Sequence, residues 1–93
     1  MIDVGHALAV VAASRKGETA IVITVQRLIR ETRHFLEDQG AAMEHVRFCT
    51  PDTLHLARGL RAAVVAVDSH ARMVALERRR SVELEDFIRA VTA

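Results

Sequence analysis

Ile21-Val22-Ile23-Thr24-Val25 is the stretch on which the fold turns. All five side chains are β-branched, and such residues favour strands. Their neighbours carry a different period. Ile21, Val25, Leu28, Ile29, Thr32, Phe35 and Leu36 recur at three- and four-residue steps, the spacing of one helical face. Arg27, Arg30, Glu31, Arg33, His34, Glu37 and Asp38 fall largely on the other face. The period runs unbroken into Leu36, which favours one helix from about Glu18 to Gln39 over a strand. Gly40 then ends it as a left-handed residue.

On the amino-terminal side, a shorter helix is expected from about Asp3 to Ala13. Asp3 can accept from the free amides of its first turn. Leu8, Val11 and Ala12 supply an apolar face, with Val4 at its start. Ser14-Arg15-Lys16-Gly17 breaks it, with cations near the negative helix end and glycine just beyond.

On the carboxyl-terminal side, Ala41–Cys49 reads as a connector, with Val46 and Phe48 alternating about Arg47. Thr50-Pro51-Asp52 is a strong helix start: a hydroxyl cap, a proline at the first helical position and an acid at the positive end. No breaker follows until the Arg78-Arg79-Arg80 run. The third helix is therefore expected to run about 28 residues, or about 40 Å. Leu56, Leu60, Ala63, Val64, Val67, Ala71 and Val74 form its stripe, and Gly59 suggests a close helix crossing. After a bend at Arg80-Ser81-Val82, Glu83–Thr92 carries Leu84, Phe87, Ile88 and Val91 at i, i+3, i+4 and i+7, so Phe87 and Ile88 are expected to be buried. The expected fold is all-α: four helices with a long central third helix, a short extended loop and a short closing helix, in one helical domain over residues 1–93.

Composition agrees with a small globular protein. The 93 residues are 51% hydrophobic and 27% charged, with one Pro, four Gly, no Trp and no Tyr. One cysteine permits no internal disulfide and fits a cytoplasmic setting. Thirteen basic and twelve acidic side chains leave a charge of +1, which excludes the strongly basic footprint of a DNA-coating protein. The longest apolar run, Ala7–Ala13, is far short of the roughly 20 residues that span a bilayer. No membrane association is expected.

Few residues suggest chemistry. His45, Cys49 and His55 have Glu44 and Asp52 nearby, but their spacing fits no standard zinc pattern. Cys49 precedes a helix start that could lower its pKa, yet an isolated cysteine more often acts as a small buried hydrophobe. Asp68 and His70 are two apart on a helix and should not face each other, whereas Asp68 and Arg72 can pair. Gly5, Gly17, Gly40 and Gly59 are isolated, so no phosphate loop is present. The expectation is a non-enzymatic chain with no catalytic residue, metal, cofactor or small-molecule substrate. Clustered Arg78, Arg79, Arg80 and Ser81 form the candidate nucleic-acid contact. The bland alternative is a solvated helix end where cations suit the dipole. Leu56, Leu60, Val64, Val67 and Val74 form the candidate interface for a homo-oligomer or a protein partner.

Thr50-Pro51-Asp52 opening a long helix, Arg79-Arg80-Ser81-Val82 as a short loop, and Glu85-Asp86-Phe87-Ile88 in a closing helix resemble the histone fold. The resemblance covers roughly residues 21–93 and is strongest over 70–93. It implies pairing with a second subunit and an Arg-rich loop beside nucleic-acid backbone. The extra first helix and the near-zero charge depart from DNA-wrapping histones. Gln26–Arg33 and Val82–Phe87 also resemble the helical lid of AAA+ ATPases of the MoxR type, although Thr50-Pro51 is followed by Asp52 where that lid carries an arginine. Ile2–Val11 with Val82–Val91 is similar to the helical amino-terminal domain of Clp ATPases. These imply an accessory module binding an ATPase or another protein.

Overall fold

A computed structural model describes residues 2–93 and corrects the all-α expectation. The first helix, α1 (Val4–Arg15), is capped by Asp3, whose Oδ1 accepts from the His6 amide at 2.8 Å. The β-branched stretch that follows is a strand, β1 (Ala20–Ile23). Then come α2 (Ile29–Asp38), β2 (Val46–Cys49), β3 (Val64–Val67), α3 (Ser69–Glu77) and α4 (Ser81–Thr92). The strands form one parallel sheet in the order β2-β1-β3. Ala20 aligns with Val46 and Val64, and Ile23 with Cys49 and Val67.

All four residues of β1 have no exposed surface. A parallel strand covered on both faces needs apolar side chains on both, so it reads as a continuous run without alternation. That is why Ile21–Val25 mimics the start of a helical period. One face of the sheet carries Ala20, Val22, Val46 and Ala66 beneath Ala7 and Val10 of α1 and Leu36 of α2. The other carries Ile21, Ile23 and Cys49 against Ala71 and Ala75 of α3, Leu84 and Val91 of α4, and the single turn 54–57. The connection from β1 to β2 passes over the first face through α2. The return to β3 passes over the second, so both crossovers have the same hand.

The long third helix does not form. Thr50–Thr53 is a tight turn at the end of β2: Thr50 Oγ1 accepts from the Asp52 amide at 3.2 Å, and the Thr53 amide donates to the Thr50 carbonyl at 3.0 Å. Gly59 has φ +90°, and a Cβ there would meet nothing within 4 Å. It serves backbone conformation, not a close helix crossing. Val64-Val65-Ala66-Val67, with three β-branched residues in four, then becomes an edge strand. The expected stripe Leu56, Leu60, Val64, Val67 and Val74 is thereby spread over a turn, a loop, β3 and α3. The first and last helices form near their expected positions. Gly17 and Gly40 take φ +76° and +90° after α1 and α2. The inward face of α1, however, is Ala7, Val10, Ala13 and Ser14. No helix of the described residues is long and apolar enough to cross a membrane.

Leu84 and Val91 anchor α4, while Phe87 and Ile88 are only half-buried, which corrects their expected burial. Phe87→Ala is therefore expected to cost about 1–3 kcal/mol, below the 3–5 kcal/mol typical of a fully buried phenylalanine. Urea midpoints of the variant and the parent check this.

Candidate functional site

The three strands end at Ile23, Cys49 and Val67, one layer of the sheet. From β1 the chain turns toward one edge and one face; from β3 it turns over the other face. In open α/β sheets such a reversal leaves a crevice outside the carboxyl ends of the strands. Here that region is a cleft of about 640 Å³. Val25, Gln26 and Arg27, following β1, make one wall. The turn Thr50–Thr53 makes the base. His70, Met73, Val74, Glu77 and Arg78 of α3 and its end make a second wall.

Asp68 is the best-anchored polar group beside this cleft. Its side chain has no exposed surface. As N-cap of α3 it has φ −69° and ψ 142°, outside the helix, and accepts from the His70 amide at 2.8 Å. Thr24 Oγ1 donates to its Oδ2 at 3.1 Å, tying the end of β1 to the end of β3. His70 Nδ1 lies 3.0 Å from Asp68 Oδ1. The expectation that Asp68 and His70 cannot meet fails because Asp68 caps the helix instead of lying within it. Burial alone would raise the Asp68 pKa; hydrogen bonds, led by those from the His70 amide and ring, outweigh it and hold the carboxyl below its ordinary value. An ionised carboxylate can only accept, so Nδ1 carries a hydrogen toward it and Nε2 is the ring atom left for other contacts. Arg72, the expected partner of Asp68, pairs with Glu85 of α4.

The arginine loop is partly engaged. Arg78 and Arg80 both pair with Asp52 of the β2 turn, Arg80 at 3.2 Å. The hydrogen bond from Arg78, and then the two guanidinium charges, hold the Asp52 carboxyl below its ordinary value. Arg79 is exposed at φ 55°, and Ser81 begins α4. The Arg78–Ser81 loop therefore presents one guanidinium, that of Arg79, without an ion pair among the described residues.

Of the expected interface residues, Leu56 is 73% exposed. Leu60, Val64, Val67 and Val74 are half-buried, so they no longer share one surface stripe. Other large apolar side chains stand out instead: Val4 and Leu8 on α1, Met73 and Leu76 on α3, and Val82 on α4. His45, Cys49 and His55 lie on three different elements. The described residues contain no group of three His, Cys, Asp or Glu side chains placed to hold a metal. Cys49 is buried, which pushes its thiol up from its ordinary pKa. That suits a small hydrophobe and not a nucleophile.

The pairing of Thr24 with Asp68 escaped the sequence reading. Its signal was two strands rich in β-branched residues, one followed by Thr24 and the other by Asp68-Ser69-His70, a strand end that doubles as a helix cap. No family model, curated protein or solved structure matches this chain.

Proposed function

We propose that the chain is a non-enzymatic, self-associating assembly module whose interface is the outward face of α1. The observation that carries this reading is that α1 is apolar on both sides. Ala7, Val10 and Ala13 are buried on the sheet, while Val4 and Leu8 are 69% and 59% exposed on the opposite side. Gly5 and Ala12 flank Leu8 on that outward face and are also exposed. A helix that serves only to cover its own sheet carries polar residues outside.

The partner is a second copy of the chain. Asp3 lies at one end of the helix and Arg15 and Lys16 at the other. Two α1 helices packed antiparallel about a two-fold axis bring each acidic end against the partner's basic end and oppose the helix dipoles. The 12-residue helix offers about 18 Å of such contact. Leu8, near its middle, can sit between the small Gly5 and Ala12 of the second copy. The Arg78–Arg80 loop gives weaker support to nucleic-acid binding, because two of its three guanidinium groups already hold Asp52.

Light scattering coupled to size exclusion tests the reading. At high micromolar concentration the protein is expected to show twice the 10.3 kDa chain mass. Leu8→Glu is expected to give the single-chain mass with an unchanged thermal melt at low concentration, because an exposed Leu8 contributes little to the fold of one chain. A strictly monomeric parent protein, or a Leu8→Glu variant that stays dimeric, would overturn the proposal.

A further inference from the structure

We propose that the cleft at the carboxyl ends of the strands binds a small zwitterion with an apolar side chain, of the chemical class of a free α-amino acid. The charges decide the class. Among the side chains lining the cleft, Arg27 and Arg78 are cationic and Asp52 and Glu77 anionic, so the lining charges cancel. A strongly anionic ligand such as a phosphomonoester gains little from a balanced site.

The charges are also unequally occupied. Asp52 is held by Arg78 and Arg80. Arg27 on the β1 wall has no ion-pair contact among the described residues, and neither has Glu77 on the α3 wall, although its charge is felt by Arg78. An unpaired cation and an unpaired anion therefore line the same cleft. A ligand with a carboxylate for Arg27 and an ammonium for Glu77 satisfies both at once. His70 adds a hydrogen-bonding Nε2, its ring being fixed through Nδ1 by buried Asp68.

The same cleft also has apolar lining. Val25, Pro51, Met73 and Val74 line it, and Met73 is 60% exposed in a position that a ligand's side chain can cover. The cleft's size falls within the range of about 300–1,000 Å³ usual for small-molecule sites. Both walls are supported from beneath: Asp68 and Thr24 join the strand ends from which they rise. None of the described residues lining the cleft belongs to α1.

The test is a titration of the isotope-labelled full chain with L-leucine, followed by backbone amide shifts. The parent protein is expected to shift at Gln26, Arg27, Thr53, His70 and Glu77 and to saturate at millimolar ligand or below. N-acetyl-L-leucine lacks the ammonium and L-leucinamide lacks the carboxylate; each is expected to bind roughly tenfold or more weakly, the usual result of losing one charge-assisted contact. Glu77→Gln should weaken L-leucine similarly and abolish the discrimination against the acetylated compound. Arg27→Gln should do the same for the amide. Both residues are exposed, so both variants should keep the parent amide spectrum away from the cleft. Three results would each overturn the inference: no shift at the cleft with L-leucine, analogues that bind as tightly as L-leucine, or variants that discriminate as the parent does.

Discussion

Ile23→Ala is expected to lower the unfolding free energy by about 2–5 kcal/mol, the range for truncating a buried isoleucine to alanine. Ile23 has no exposed surface and lies on the side of the sheet that packs on Ala71 and Ala75 of α3 and Leu84 of α4. β1 is the central strand, so neighbours on both sides limit any collapse into the cavity. The loss is a large fraction of the roughly 5–14 kcal/mol that a domain of this size possesses. The same experiment separates the strand from the helix suggested by the sequence period. Along a helix, Ile21 and Val25 share the apolar face and Ile23 does not. Along the strand, Ile21 and Ile23 share a face, and Val25 is half-exposed in the loop beyond. Val25→Ala is therefore expected to cost clearly less than Ile23→Ala in urea denaturation. Equal midpoints for the two variants, or a larger loss for Val25→Ala, would contradict the strand.

Asp68→Ala is expected to cost about 2–4 kcal/mol, the sum of a lost helix cap and of polar partners left without their acceptor. Thr24 Oγ1 and the His70 amide lose the contacts they make at the junction of β1, β3 and α3. Asp68→Asn keeps the shape and an acceptor oxygen and should cost less. The charge gives a second readout. The folded carboxyl titrates below its unfolded value, so its stabilising contribution is present above the ordinary carboxylate value of about 4 and is lost as pH falls through the folded value. The parent should therefore lose stability on acidification from about pH 6 to about pH 3, and Asp68→Asn should lose measurably less over the same span. Urea midpoints at the two pH values decide it; parallel losses would remove Asp68 as a source of the acid sensitivity.

The helix boundaries were legible in local chemistry. Asp3, Gly17 and Gly40 act where their local chemistry requires, because capping and a positive φ depend on a few adjacent residues. The spacing of Leu84 and Val91 likewise located α4 to within two residues of its start. Thr50-Pro51-Asp52 was locally just as convincing, yet it forms a turn. A hydroxyl cap and a proline start a helix only if the following residues gain by burying a helical face, and Val64–Val67 gains more by pairing with β1.

The middle of the chain was settled by pairing between distant segments. Ile21–Val25 and Val64–Val67 are separated by about forty residues, and their pairing has no local signature. In a parallel sheet covered on both faces, the side chains lose the alternation that marks a half-buried strand. What remains is an apolar run that accidental neighbours such as Leu28 and Leu60 extend at helical spacing. The candidate cleft was hidden for the same reason. Thr24, Asp52, Asp68 and Glu77 meet no pattern along the chain; they come together because three parallel strands end at one level. Non-local hydrogen bonding between strands, absent from any local period, turned an apparent helical stripe into a sheet with a cleft at its end.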